Sequence, residues 1–319
     1  MGTPDIAVPP LDALIGAGHD VIAVVSQPDR PKGRGRALDQ PEVKKRAMEL
    51  GIPVLQPERA TDAAFAEGIG SIKPDVAVVM AFGQKIPKDM LEVPKHGFIN
   101  IHASLLPEYR GAAPVQRAIM DGRKSTGVTI MYMNEAMDAG DIGLTCELPI
   151  LESDDAGSLF RKVSVKGSEL IVQMLRLLEE GKAPRIPQDP KGATVARKIT
   201  RQDEFIDWSK SPRQVVDRVR ALSPEPGARA MLCGSEAKVF EARVLPECEA
   251  LSLGLPKPEP GDAYAMKDCS IIAAAGDGWV ELVTVRPSGG KTMACKAFTR
   301  GRRLTGKFST ICEMNEVKG

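Results

Sequence analysis

This chain of 319 residues lacks most of the patterns that announce a chemistry at once. Its six cysteines (Cys146, Cys233, Cys248, Cys269, Cys295 and Cys312) include no C-x-x-C pair, and none has a histidine at zinc spacing. That excludes the usual zinc and dithiol motifs, no metal is expected, and the scattered thiols fit a reduced, cytoplasmic protein. Aromatic residues are only 4% of the chain, so base-stacking platforms are scarce. No apolar run approaches the ~20 residues of a membrane helix. Pro4 and Asp5 interrupt any signal-peptide core, and Ile6 stands where a myristoylation motif needs Ser or Thr. Neither G-x-G-x-x-G nor a Walker pattern occurs, so a nucleotide-cofactor cradle is a poor fit. Neither charge sign dominates, with 43 Lys and Arg against 42 Asp and Glu. Contact with a polyanion must therefore come from local clusters.

What is present alternates. "HDVIAVVS" (19–26), "PDVAVVMAFG" (74–83) and "GFINIH" (97–102) are apolar, strand-like runs. "PEVKKRAMELG" (41–51) and "APVQRAIMDG" (113–122) carry helical spacing and end in Gly. This alternation predicts an α/β fold with a Rossmann-like, mostly parallel sheet. Strands over 126–134 and 143–150 and a long amphipathic helix over 156–181 complete a first domain, 1–181. "KAPRIPQDPKGAT" opens a Pro-rich, polar linker, 182–204. After a helix at 211–222, five short strands with Gly- and Pro-containing turns predict a small OB-like β-barrel, so the second domain is 205–319.

Of the three histidines, His102 ends "GFINIH" two residues after Asn100. Alternation sets both side chains on one face of the strand, at the carboxyl edge where open α/β sheets bind ligands. An amide and an imidazole there can meet one developing oxyanion from two directions. Asp138, in "AMDAGD", could orient such a histidine or relay a proton. On spacing alone the plainer reading wins for each: a polar strand cap for the histidine, a turn former for the aspartate.

The longer pattern shifts that balance. "NIHASLLPEYRGAAPVQRAI" followed by "TGVTIMYMNEAMDAGD" resembles the signature of the 10-formyltetrahydrofolate-dependent formyltransferases. The N-terminal "GTPDIAVPPLDALIGAGHDVIAVVSQPDRPKGRGRAL" and "KITRQDEFIDWSKSPRQVVDRVRAL" narrow the likeness to those that act on methionyl-tRNA, over nearly the whole chain. The resemblance implies 10-formyltetrahydrofolate as donor cosubstrate and initiator methionyl-tRNA as partner. It implies Asn100, His102 and Asp138 as the catalytic trio, and Ser104, Leu105, Leu106 and Pro107 as a folate-contacting loop. Phe82 and Gly83 fall where the pterin pocket is expected. The loop "QPDRPKGRGRAL", with Arg30, Lys32, Arg34 and Arg36, is implied to enter the acceptor arm of the tRNA, and 205–319 to be the tRNA-binding domain. A second basic series, Lys291, Lys296, Arg300, Arg302, Arg303 and Lys307, would offer phosphate contacts. Nothing demands more than a monomer.

Two features depart from the family pattern. The apolar strand that usually precedes "GTPD" is missing from the 319 residues. The expectation is that the natural start lies upstream, because an empty strand position would leave buried backbone groups unpaired at about 1–3 kcal/mol each. In "ALSPEPGA", Leu222 and Glu225 stand where aromatics are usual. Two other functions remain open. One is an amino-sugar-nucleotide formyltransferase, which would share the trio and a similar second domain. The other is an RNA-binding protein with an impaired catalytic half.

Overall fold

The structure is a computed structural model that describes residues 1–32, 37–232, 234–300, 302 and 306–309. Two compact units emerge: Met1–Pro114 with Ser125–Pro149 and Phe160–Arg197, and Val115–Lys124 with Ile150–Leu159 and Lys198–Gly319. Segment 182–197 therefore falls within the first unit, and most of the "APVQRAIMDG" helix within the second.

The chain begins with α1 (Val8–Gly16), β1 (Val24–Val25), the hairpin β2 (Arg30–Lys32) and β3 (Ala37–Asp39), α2 (Glu42–Glu49) and β4 (Val54–Leu55). It continues through α3 (Ala63–Ile72), β5 (Ala77–Val79), α4 (Lys88–Leu91), β6 (Phe98–His102), β7 (Arg110–Gly111) and α5 (Pro114–Met120). Then come β8 (Ser125–Tyr132), β9 (Ile142–Pro149), α6 (Ala156–Glu179) and β10 (Val195–Ala196). Proline in its first turn starts α1. A Schellman closure ends α6: Lys182 N–H donates to Leu177 O and Gly181 N–H to Leu178 O, with Gly181 at φ +68°. Glycine is the residue that takes this left-handed φ without strain.

In the first unit, β1 pairs with β4 in parallel. A four-stranded sheet runs β5-β6-β8-β9. β5 and β6 are parallel, while β6–β8 and β8–β9 are antiparallel. The α/β class stands, but the half of this sheet beyond β6 is antiparallel. The strand–helix–strand pattern suggested a parallel crossover there, yet β8 returns against β6. Burial follows position: β8 is buried along nearly its whole length, as a central strand should be, whereas β9 at the edge alternates. Phe98, Ile99 and Ile101 of β6 are buried, so the strand that carries the site is held by its own apolar side chains.

Met1 and Gly2 lie beside β1 and β5. Gly2 N–H donates to Val25 O, Met80 N–H to Met1 O, and the Met1 amine to Val78 O. Beyond Met1 a groove of about 780 Å³ continues between residues 20–25 and 74–78, with Leu11, Leu14, Ile69 and Leu175 among its walls.

The second unit adds α7 (Arg201–Glu204), α8 (Pro212–Ala221), β11 (Ala228–Leu232), β12 (Ser235–Leu245), α9 (Glu247–Ser252), β13 (Asp262–Ala265), β14 (Ile271–Ala275), β15 (Gly278–Pro287), β16 (Met293–Ala294), α10 (Cys295–Arg300) and β17 (Gly306–Ser309). Its antiparallel sheet runs β11-β12-β15-β14-β13-β17, with β16 on β15, and curls into the OB-like half-barrel that the turn spacing predicts. Val215, Val219 and Leu222 pack with Val239, Val280, Leu282 and Phe298 in its core. Leu222 is fully buried and supplies apolar volume to this core. A capping box between Ser211 and Gln214, with Pro212 at the first helical position, starts α8.

One ionic group in this unit is deeply buried. Asp217, 2% exposed, accepts from Arg220 Nε at 2.7 Å and Arg213 Nε at 3.1 Å. The Arg220 guanidinium also donates to the Leu151 and Asp154 carbonyls. Removing one partner of such a group strands the other charge out of water, which costs about 3–5 kcal/mol. Asp217→Ala is therefore expected to lower the urea midpoint by that amount of stability. A midpoint within experimental error of the parent would refute this assignment.

Candidate active site

The site is assembled in the first unit, at the end of β6 and the turn after β8. His102 is buried, and its Nε2 lies 3.0 Å from Tyr109 O. A carbonyl only accepts, so Nε2 carries the proton. Tyr109 is itself at φ +57°, and this left-handed turn is part of how its carbonyl is presented to the ring. Nδ1 faces Asp138 Oδ1 at 3.7 Å. An imidazole with acceptors on both sides can donate to both only when doubly protonated. The gap on the Nδ1 side is too long for a direct hydrogen bond and leaves Nδ1 available to a third atom.

Asp138 is held as firmly as the histidine. Its Oδ2 accepts from Gly111 N–H at 2.8 Å. Its backbone sits at φ +49°, a left-handed conformation that a non-glycine residue keeps only when its surroundings hold it there. Gly140, two residues on, has no alternative: a Cβ there would lie 1.7 Å from Tyr132 O. Gly111 is comparably confined, because a Cβ would lie 2.7 Å from Ala196 O of β10, the strand paired with β7. Asn100 shares the face of β6 with His102 by strand alternation, opposite Met131 of β8. The structure thus brings His102 and Asp138 together and leaves Asn100 one strand repeat away.

The segment after His102 is fixed by buried hydrogen bonds. Thr129 Oγ1 donates to Ser104 O at 2.7 Å and accepts from Leu106 N–H at 3.1 Å. Ser104 Oγ donates to Glu108 O at 2.6 Å. Gly127 leaves the space that Leu105 fills, since a Cβ would approach Leu105 Cδ2 to 2.4 Å. The Leu106–Pro107 peptide is cis. These hydrogen bonds fix the loop beside the histidine, with Ser104 and Leu106 buried and Leu105 and Pro107 half-buried.

The resemblance puts Phe82 and Gly83 at the pterin pocket, and the Phe82 side chain itself is buried. Its ring belongs to the core with Val25, Val79, Ile86, Met90 and Phe98. Its carbonyl accepts from Thr3 Oγ1 and from Gln27 Nε2. Gly83 follows at φ +86° with Gln27 Nε2 near the place of its missing Cβ. Backbone, not the aromatic face, is what 82–83 can offer a ligand.

The basic residues divide. Arg30 is exposed and 3.5 Å from Glu58, and Lys32 ends β2. Arg34 and Arg36 lie outside the described residues, as do Arg303, Cys233 and Cys312. In the second unit, Lys296 is paired with Asp268 at 2.6 Å, and that contact lowers the Asp268 carboxyl to about 2. Arg302 stacks over the Phe298 ring at 4.0 Å. These two basic groups are therefore already partnered. Among the described residues, no three His, Cys, Asp or Glu side chains are grouped to hold a metal ion. None of the described helices is long and apolar enough to cross a membrane.

Residues 1–175 match the family model described as formyl transferase, and 198–303 match that of the formyl transferase C-terminal domain. A methionyl-tRNA formyltransferase of Bacillus licheniformis is 44% identical over 95% of this chain and 94% of that protein. One from Halalkalibacterium halodurans is 45% identical over 94% of this chain and 93% of its own length. This chain belongs to the methionyl-tRNA formyltransferase family. It resembles solved structures as well. An N-formyltransferase from Helicobacter canadensis, in complex with folinic acid and dTDP-3-aminofucose, aligns with a TM-score of 0.66 at 17% identity, over 88% of this chain and 96% of that one. HypX from Aquifex aeolicus, in complex with tetrahydrofolic acid, aligns at 0.59 and 22%, over 80% of this chain and 43% of that one. At such identities the likeness is one of fold.

The sequence did not point to Tyr109, Gly111 or Gln188 as parts of the site. Tyr109 and Gly111 act through backbone groups, which composition does not reveal. Gln188 sits 50 residues from Asp138 in a stretch that reads as a linker.

Proposed function

We propose that this chain transfers the formyl group of 10-formyltetrahydrofolate to the α-amine of methionine on initiator methionyl-tRNA, with Asn100, His102 and Asp138 at the reacting carbon. The observation that carries the proposal is the His102 ring, fixed by Tyr109 O on one nitrogen and facing Asp138 with the other. The amine attacks the formyl carbon on N10. The tetrahedral adduct carries an oxyanion, and donors from Asn100 and a protonated His102 stabilise it. Asp138 supports the imidazolium and helps move the proton lost by the amine towards the departing N10. The bond from carbon to N10 then breaks, giving formylmethionyl-tRNA and tetrahydrofolate. The loop of Ser104, Leu105, Leu106 and Pro107, with the backbone of Phe82 and Gly83, holds the folate. Arg30, Lys32, Arg34 and Arg36 contact the acceptor arm through phosphates. Residues 205–319 bind the body of the tRNA. Every named site residue comes from a single chain, so a monomer suffices, and a tRNA acceptor puts the reaction in the cytoplasm.

Relatives at 44–45% identity over nearly the whole chain support methionyl-tRNA as the acceptor. The competing acceptor is an amino-sugar nucleotide, suggested by fold likeness at 17% identity. The deciding assay supplies 10-formyltetrahydrofolate with either charged initiator tRNA or an amino-sugar nucleotide. Transfer to the tRNA at least 10²-fold faster is expected, and Arg34→Ala should slow it while folate affinity holds. Preferential formylation of the sugar nucleotide, or salt-sensitive RNA binding without transfer, would overturn the proposal.

A further inference from the structure

Gln188 lies in the segment between α6 and β10, and all of its hydrogen-bonding capacity is spent at the site. Its Nε2 donates to Asp138 O at 2.9 Å and to Gly140 O at 2.7 Å. Its Oε1 accepts from Arg110 Nε at 3.0 Å and from the Arg110 terminal nitrogen at 2.7 Å. A primary amide has two N–H donors and two acceptor lone pairs, so none is left over. The two stretches it joins are the ones that fix the catalytic carboxylate. One is the 138–140 turn, which puts Asp138 at φ +49° and requires glycine at 140. The other is Arg110-Gly111, whose Gly111 N–H grips Asp138 Oδ2.

The segment is itself anchored on both sides of Gln188. Ile186 exchanges two backbone hydrogen bonds with Ile142, at 2.8 and 2.9 Å. Val195 and Ala196 pair with Arg110 and Gly111. A side chain held at both flanks can hold a strained turn without drifting. Left to itself, a non-glycine residue at positive φ relaxes towards the favoured regions. Relaxation here would swing the carboxylate away from the imidazole.

We infer that Gln188 is a positioning residue for formyl transfer: it clamps the Asp138 turn to the Arg110-Gly111 strand and so sets where the carboxylate stands relative to His102. This rests on the reading of Asp138 and His102 as the reacting pair. No isosteric replacement repeats the contact pattern. Glutamate lacks the two donors, and asparagine is one methylene too short to reach both stretches.

The experiment compares Gln188→Ala, Gln188→Glu, Asp138→Asn and the Gln188→Ala/Asp138→Asn double variant in the full chain. Single-turnover formyl transfer, folate affinity and thermal midpoint are measured for each. Gln188→Ala is expected to lower the transfer rate 10- to 100-fold, with folate affinity within threefold of the parent. In the Asp138→Asn background the same change is expected to cost no more than twofold, because the carboxylate it positions is gone. The ¹⁵N shift of His102 Nδ1, followed by NMR, is expected to move in the same sense in Gln188→Ala, Gln188→Glu and Asp138→Asn. That readout needs no turnover, so it judges the positioning role even if methionyl-tRNA proves not to be the acceptor, which the parent enzyme's own rate would reveal. A Gln188→Ala rate within twofold of the parent, an undiminished loss in the double variant, or an unmoved His102 resonance would each overturn the inference.

Discussion

His102→Ala is expected to slow formyl transfer by about 10²- to 10⁴-fold while folate affinity stays within a few-fold of the parent. The buried imidazole touches Tyr109 O and faces Asp138. On the proposed mechanism, replacing it removes a donor to the adduct and leaves the proposed folate-contacting loop in place. Asn100→Ala is expected to cost roughly 3 kcal/mol, or on the order of 10²-fold, the usual loss for one oxyanion donor. Both losses belong in the single-turnover rate. If His102→Ala instead weakened folate binding and left the bound rate intact, the ring would be a binding wall and the proposed role would be wrong.

The second large effect concerns stability. In the 319-residue chain the Met1 amine is buried beside β5, donating to Val78 O, and burial lowers it from about 8 to about 5. The folded chain therefore prefers the neutral amine. Its contribution is fully present above pH 8, declines as the pH falls and the unfolded chain takes up the proton first, and is lost by about pH 5. Linkage sets the swing at roughly 4 kcal/mol at most. N-terminal acetylation keeps an N–H donor and removes the charge, and the groove beyond Met1 has room for it. Urea denaturation at pH 8.5 and at pH 5.5 is expected to show a gap between acetylated and unmodified chains that widens at the lower pH. Equal stability of the two forms at pH 5.5 would contradict the burial of the amine.

Much of the architecture was legible, for identifiable reasons. β6 is an apolar run, so its burial and its end at His102 followed from composition. The turns around 228–287 punctuated the second sheet closely enough to place its strands. The meeting of His102 with Asp138 was not legible from spacing, because it depends on β8 returning antiparallel beside β6 and on a turn with positive φ at Asp138 and glycine at 140. The long family pattern supplied what periodicity could not. The polar, proline-rich stretch after α6 carried the opposite lesson. Its composition reads as a spacer, yet Ile186, Gln188, Val195 and Ala196 each bond to a segment that shapes the site. The resemblance places Phe82 and Gly83 at the pterin pocket but says nothing of side-chain direction, and the Phe82 ring lies in the core.

The central claim, that Asn100, His102 and Asp138 act on one transition state, is tested most directly by a double-mutant cycle. His102→Ala, Asp138→Asn and their combination would be compared in single-turnover transfer from 10-formyltetrahydrofolate to charged initiator tRNA. Groups that serve the same charge do not contribute independently. The double variant should be slower than the worse single variant by less than about threefold. Losses that multiply, or single variants that transfer at the parent's rate, would contradict the account.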